Sequence, residues 1–461
     1  MMMKRILFLF AVSMLLSAPA GAQETTKEES WSGKMMVGTN ELNISFVIRA
    51  LKDGRQDGVM NVPAQGAKDI PISLLKNDRD SLIVSVPSLM AFYKGEKVSA
   101  DSIRGTFVQS GMVLPLTLTP GAIELKRPQT PVPPFAYTTE EVTFRNEAEG
   151  AELAGTLTYP VGYKNSRRKS VPVVLMVTGS GAQDRDETIF DHKPFLVIAD
   201  FLARNGIASL RYDDRGMGKS TGPTEGTTTL SNLADAEAGI SYLRGLRKFG
   251  KVGVLGHSEG GTIAFMMGES QRVDFLISLA GAAAKGIDVL IGQNEAAMKL
   301  QGIAPKVIEN YVAALRILYN DRISSAETPD DKHRYVEDLC KDNNLILPYA
   351  FKANLEKCVT FGGEWLTWFL AYTPAEAIKK ITCPVMALNG SLDMQVLSRD
   401  NLPIVRASLP PDDRAIIKEY EGLNHLFQHC TAATSLNYGA IDETISEEVL
   451  GDLVKFVKSL K

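Results

Sequence analysis

The sequence predicts an α/β fold, with a mostly parallel central sheet and helices on both faces, preceded by a small all-β domain. Three observations carry this reading. From about Glu141 onward, short runs rich in Val, Ile and Leu alternate with amphipathic stretches of helical length. Strands alternating with helices imply a parallel sheet covered on both sides. Residues 31–125 instead show short runs of alternating polarity separated by turn signals, the pattern of antiparallel strands. A proline-dense segment separates the two patterns.

The chain has 461 residues, too many for one ordinary core; at roughly 150 residues per domain it implies two or three units. Hydrophobic residues make up 44% and charged residues 23%, as in soluble globular proteins. The formal net charge is −4 and no dense basic tract follows the N-terminus, which excludes nucleic acid as a partner class. The short run Arg167-Arg168-Lys169 sits among Asn165, Ser166 and Ser170 and reads as a solvated loop.

The first 22 residues read as a signal peptide. Lys4 and Arg5 form a positive start, Ile6 to Ala18 an apolar run too short to span a bilayer, and Ala20-Gly21-Ala22 a small-residue cleavage site. Gln23 would then open the mature chain, exported to the periplasm or beyond. No cysteine adjoins the cut to carry a lipid, and no stable membrane insertion is expected elsewhere.

In the all-β domain, placed at 24–125, strand-like runs are Leu42–Ile48, Ser81–Val86 and Val113–Leu118. Lys52-Asp53-Gly54 and Tyr93-Lys94-Gly95 serve as turn signals. A small antiparallel meander or partial barrel is expected. The linker, 126–140, carries Pro128, Pro131, Pro133 and Pro134, a stiff extended composition.

The second domain spans 141–461. Its strands are expected at 171–178, 207–212, 251–255, 273–280 and 384–388, and its helices at 195–205, 231–249 and 260–270. Residues 285–378 break the alternation with a helical insertion where a lid would sit. Ile441 to Leu460 reads as a closing amphipathic helix.

Gly256-His257-Ser258-Glu259-Gly260 matches G-x-S-x-G. The mechanical meaning of that motif is a sharp strand-to-helix turn that lifts the serine. Val252-Gly253-Val254-Leu255 before it and Gly260-Gly261-Thr262-Ile263-Ala264 after it fit a strand and a helix start. A second match, Gly218-Lys219-Ser220-Thr221-Gly222, follows no strand and runs into Pro223. It is no phosphate loop either, because Asp213 stands where that motif needs glycine. Ser258 is therefore the expected nucleophile.

A serine hydroxyl needs an imidazole to take its proton and a carboxylate to orient that imidazole. In folds of this kind the partners follow in the order serine, acid, histidine. Five histidines are available. His257 adjoins the serine and its side chain should point elsewhere. His425, in a loop after the strand-like Ile416–Tyr420, is the expected base, with His429 as the fallback. Asp393, in the loop after the strand from Pro384, is the expected acid. His425 and His429 lack the glutamate of a zinc-protease motif; no metal or cofactor is expected.

A tetrahedral intermediate needs two pre-aimed N–H donors. The backbone of Glu259 should supply one. Ser180, in the glycine-rich Thr178-Gly179-Ser180-Gly181 that ends a strand, should supply the other. The following Asp184-Arg185-Asp186 is expected to brace this loop by charge pairing.

These motifs, together with Tyr212-Asp213-Asp214-Arg215-Gly216-Met217-Gly218-Lys219-Ser220 and Gly390…Asp393…His425, resemble bacterial α/β-hydrolases. They look most like secreted carboxylesterases of the serine-aminopeptidase-like group, over residues 140–460. The resemblance implies Ser258 as nucleophile, Asp393 as acid, His425 as base, and Ser180 and Glu259 as backbone donors. Where that family usually has histidine before the oxyanion glycine, this chain has Thr178.

In the insertion, Trp365, Trp368, Phe369 and Tyr372 recur at helical spacing. They either pack the lid down or wall a substrate pocket. The cysteines are Cys340, Cys358, Cys383 and Cys430. Cys383 and Cys430 should lie at opposite ends of the sheet, too far apart to bond. Cys340 with Cys358 is the expected pair if any forms.

The function expected is cleavage of carboxylic esters with short to medium acyl chains through an acyl-enzyme. An aminopeptidase or acyl-aminopeptidase is the second reading, and a non-catalytic glycan- or envelope-binding protein the third. The partner expected is a small-molecule ester, with a homodimer left open.

Overall fold

The computed structural model describes residues 25–37, 40–63, 66–109, 111–122, 125–164, 170–321, 328–359, 363–411 and 414–460. The expected signal peptide and the Arg167-Arg168-Lys169 run lie outside them. Contacts divide the chain into two units. One runs through Lys126 and takes in Ile189–Asp191; the other comprises Arg127–Thr188 and His192–Lys461.

The first unit is one antiparallel sheet of nine strands: β1 (Thr25–Val37), β2 (Asn40–Leu51), β3 (Gln56–Val62), β4 (Ala67–Pro71), β5 (Ser73–Asn77), β6 (Ser81–Val86), β7 (Ala91–Ser99), β8 (Ser102–Gln109) and β9 (Met112–Pro120). The order is β4-β3-β2-β1-β9-β8-β7-β6-β5, so two meanders join where the first strand meets the last. Alternate residues point inward, as the period of two demands: Leu82, Val84 and Val86 on β6 are buried with Phe46, Tyr93, Phe107 and Leu116. Lys52-Asp53-Gly54 turns the chain, with Gly54 at φ +85°. Tyr93-Lys94-Gly95 does not; it lies inside β7. Gly95 is there for space rather than for a turn, because a Cβ on it would fall 2.4 Å from the Tyr93 hydroxyl.

The second unit is built on eight strands: β10 (Thr138–Asn146), β11 (Ala151–Tyr159), β12 (Val173–Val177), β13 (Ala208–Tyr212), β14 (Val252–His257), β15 (Leu276–Leu279), β16 (Val385–Gly390) and β17 (Ile416–Tyr420). Their order is β10-β11-β13-β12-β14-β15-β16-β17. β10 and β11 are antiparallel additions, and every pair from β13 to β17 is parallel. β10 begins at Thr138, inside the segment expected to be linker.

Helices cover both faces. On one lie α2 (Thr229–Leu246), α3 (Glu259–Glu269) and α10 (Ser398–Ser408); on the other lie α1 (Pro194–Arg204) and α11 (Glu447–Ser459). β12 shows why the sheet needs both. Its Val173, Leu175 and Val177 enter the first core, its Val174 and Met176 the second, and all five are buried. Each such side chain is worth about 1.5–3 kcal/mol of burial. The last helix starts at Glu447, not at Ile441. The Ser446 side chain accepts from Glu448 N–H, and Glu447 and Glu448 complement the helix N-terminus.

Between β15 and β16 come α4 (Gly286–Leu300), α5 (Pro305–Asp321), α6 (Pro329–Asp342), α7 (Tyr349–Cys358), α8 (Gly363–Ala371) and α9 (Ala375–Ile378). Cys340 and Cys358 do not form the expected pair: neither thiol is in a disulfide. Cys340 is buried on α6, while the Cys358 thiol meets the Tyr319 hydroxyl. Among the described residues, no helix is long and apolar enough to cross a membrane.

Candidate active site

Ser258 sits between β14 and α3 with φ +54° and ψ −116°, a conformation that L-residues avoid. The neighbours make the turn possible. A Cβ on Gly256 would lie 1.8 Å from the Gly260 carbonyl oxygen, and one on Gly260 would lie 2.1 Å from the Val177 oxygen. Ser258 N–H donates to the Leu279 carbonyl at 2.8 Å, anchoring the turn to β15.

Asp393 follows β16 and His425 follows β17, so both rise from the same end of the sheet as Ser258. His425 Nδ1 lies 2.8 Å from Asp393 Oδ2, and both residues are buried. The other carboxylate oxygen, Oδ1, accepts from the backbone N–H groups of Gln395 at 2.7 Å and Val396 at 2.9 Å. The His425 loop is set by Asn424, whose side-chain oxygen accepts from Leu426 and Gln428 N–H at 3.0 Å each. Among the described residues, Ser258 Oγ makes no hydrogen bond to His425. His429, the fallback base, lies at the surface against Glu443. Ser220, the decoy, is buried and structural: its hydroxyl donates to the Asp213 carbonyl at 2.7 Å and accepts from Ala154 N–H at 2.9 Å.

The loop after β12 reaches Ser258. A Cβ on Gly179 would fall 3.2 Å from Ser258 Cβ. Ser180 is exposed next to it. Among the described residues, neither Ser180 N–H nor Glu259 N–H has a protein acceptor. Glu259 opens α3, where a helix leaves its first N–H groups unpaired.

Charge pairing holds this loop from behind. Arg185 donates to Asp213 Oδ2 at 2.7 Å, to Glu141 at 2.9 Å and to the Thr156 hydroxyl at 2.7 Å. Asp186 pairs with the buried Arg211. Thr178 donates to Asp214 at 2.9 Å, and Gln183 N–H donates to the same carboxyl at 2.8 Å. Burial pushes Asp214 up to about 7 despite those donors.

Glu187, which the sequence patterns do not single out, joins the site together with His257. Glu187, buried and at φ +54°, accepts from Gly179 N–H and lies 2.9 Å from His257 Nδ1. His257 Nε2 in turn lies 3.0 Å from the His425 carbonyl oxygen. Burial alone would lower the His257 pKa, but the Glu187 charge and hydrogen bond and the His425 carbonyl outweigh it and raise it.

Trp365, Trp368 and Phe369 of α8 and Tyr372 just after it form two stacks, Trp365 on Phe369 at 5.3 Å and Trp368 on Tyr372 at 4.5 Å. All four are half-buried; Leu366 and Leu370 are the fully buried residues of α8. Trp365 Nε1 donates to the Glu259 carboxylate, which also accepts from the Thr229 hydroxyl at 2.6 Å. A concavity of about 510 Å³ lined by Phe144, Arg145, Ala234 and Tyr242 contains none of the expected site residues.

Fold and elbow together define an α/β hydrolase with a serine at its nucleophile position. Residues 193–428 match the model of the family described as serine aminopeptidase, S33, and the chain belongs to that family. It is 27% identical over 307 residues to Esterase EstD of Thermotoga maritima, an alignment spanning 66% of this chain and 66% of that relative. Among solved structures it is similar to the Pyrococcus furiosus esterase Pf2001, with 15% identity, 73% of this chain and 99% of that one covered, and a TM-score of 0.42. It is also similar to the proline iminopeptidase of Mycobacterium smegmatis, with 14% identity, coverage of 70% and 98%, and a TM-score of 0.43.

Proposed function

We propose that this chain is an exported serine hydrolase that cleaves carboxylic esters of short to medium acyl length through an acyl-enzyme. The observation that carries this reading is the strained Ser258 at the β14–α3 turn, with the hydrogen-bonded Asp393–His425 pair on neighbouring strand ends. Ser258 attacks the ester carbonyl, His425 takes its proton and returns it to the leaving alcohol, and Asp393 holds the imidazole tautomer. Glu259 and Ser180 N–H groups receive the oxyanion. Water then repeats the sequence on the acyl-enzyme. The helices from α4 to α9 act as the lid, with the α8 aromatics as one wall of an apolar pocket of the kind that holds small ligands. Export rests on the N-terminal segment of residues 1–22.

A peptidase reading has one specific support, the description of the family itself. Hydrolysis of p-nitrophenyl acetate, butyrate and octanoate, beside aminoacyl-p-nitroanilides, by wild type and Ser258→Ala separates the two. Ester turnover that disappears in the variant is the expected result. Turnover of anilides alone would replace the ester reading by the peptidase one. A folded wild type inert on both would leave the binding-protein reading standing.

A further inference from the structure

We propose that Glu187 and His257 form a buried positioning pair that ties the oxyanion loop, the nucleophile turn and the base loop together, and that turnover depends on the proton the pair holds. This rests on the reading of Ser258, Asp393 and His425 as a triad.

The argument starts from hydrogen-bond inventory. His257 precedes the nucleophile, so its backbone is part of the turn. Its Nε2 faces the carbonyl oxygen of His425 at 3.0 Å. A carbonyl can only accept, so Nε2 must carry a proton. Its Nδ1 faces Glu187 Oε1 at 2.9 Å, the same oxygen that accepts from Gly179 N–H at 2.9 Å. One further proton must lie between Nδ1 and that oxygen, whichever atom holds it. The pair is therefore complete only with two protons, as an imidazolium beside a carboxylate or as its neutral equivalent. The elevated His257 pKa agrees with this count.

Each end of the pair touches a different working part. Glu187 fixes Gly179, whose Cα is next to the nucleophile and whose successor is Ser180. His257 fixes the backbone of the base itself, with ring centroids of His257 and His425 4.8 Å apart. The groups facing the pair are few. Asp393 and His425 stand on one side, Asp214 lies behind Glu187, and the rest is apolar: Phe195, Ile198, Leu279, Leu426, Phe427 and Ile445 around a cavity of about 10 Å³. Glu187 Oε2 has no partner there. In such surroundings a lost proton cannot be replaced by solvent contacts. One lone pair would then face an acceptor, and the oxyanion loop or the base loop would shift.

The test is the pH dependence of kcat and KM for p-nitrophenyl butyrate, from pH 5 to 10, with thermal melts as a fold control. Glu187→Gln keeps the shape but removes the charge that favours the imidazolium. Its alkaline loss of kcat should begin about one pH unit or more below that of wild type. His257→Ala should lose roughly 10–100-fold in kcat, with KM little changed. His257→Gln, whose amide nitrogen can reach the His425 carbonyl, should recover part of that loss and show no alkaline limb from this pair. Coincident profiles for wild type and Glu187→Gln would overturn the proposal, as would full kcat in His257→Ala. If His257→Ala fails to fold, the Glu187→Gln comparison decides alone. Undiminished turnover in Ser258→Ala would instead overturn the triad reading.

Discussion

The indole nitrogen of Trp365 donates to the carboxylate of Glu259, 3.1 Å from each oxygen, and so joins α8 to the residue that follows Ser258. The same carboxylate holds Thr229, the first residue of α2, at 2.6 Å. One side chain beside Ser258 thus connects the helical insertion to the sheet-bound core. Trp365→Phe keeps a ring to stack on Phe369 but removes the donor. A hydrogen bond to a charged group is worth about 1.5–3 kcal/mol, so the denaturation midpoint should fall. If the proposed α8 wall holds the acyl chain, octanoate turnover should change more than acetate turnover. An unchanged midpoint and unchanged chain-length profile would show that the contact does neither.

Asp393→Asn tests the acid with little change of shape. The Asn oxygen can still accept from Gln395 and Val396 N–H, but its amide must then face His425 Nδ1. That favours the tautomer with the proton on Nε2, which cannot accept from serine. We expect kcat to fall by about 10³-fold or more, with a melting temperature near that of wild type. Retention of a tenth of wild-type kcat or more would remove Asp393 from the acid's role.

Much of this arrangement was legible in order along the chain. The elbow stood out because two chains cannot cross so closely without glycine, and Gly256 and Gly260 mark that crossing. Asp393 and His425, which elimination picks because few acids and histidines follow a predicted strand, lie within hydrogen-bond distance of each other. Glu187 sits beside a legible motif and Asp214 inside one, yet neither residue's contacts show in the sequence. Their roles depend on contacts with Gly179, His257 and Thr178 across the sheet end, and no local period encodes such pairings. Tyr93-Lys94-Gly95 looks like a turn yet lies inside β7 for a related reason: glycine gives space as well as turns, and only the neighbouring side chains tell which. The Cys340–Cys358 pairing failed because shared membership of one insertion does not bring two thiols together.

Asp214 makes stability depend on pH. Its carboxyl titrates near 3.8 when unfolded and at about 7 in the fold, where burial resists its ionisation. Below the lower value both states hold the proton and nothing changes. As pH rises from there to about 7, the unfolded state releases the proton first, and the folded state loses stability by up to about 1.4 kcal/mol per pH unit. Above that value both are ionised and the loss stops. Asp214→Asn removes this component. Urea midpoints at pH 5 and pH 8 should therefore diverge more in wild type than in the variant. Equal divergence in both would place the titration elsewhere.

Gly179 shows how little room the loop after β12 leaves beside Ser258. A methyl group there would sit 3.2 Å from Ser258 Cβ and 3.4 Å from Glu187 Oε1. Contacts that close displace a neighbour by a few tenths of an ångström rather than unfold the chain. The neighbour on one side is Ser258, the proposed nucleophile, and on the other the Glu187 carboxylate that accepts from Gly179 N–H. Misplacement of about 1 Å can cost 10²-fold in rate, so Gly179→Ala should lose roughly tenfold in kcat while its melting temperature changes little. Acyl-enzyme formation, followed as the burst of p-nitrophenol, should slow by the same factor, because attack and oxyanion stabilisation share this contact. A variant with wild-type burst kinetics would mean that Ser258 and the loop do not meet during the reaction.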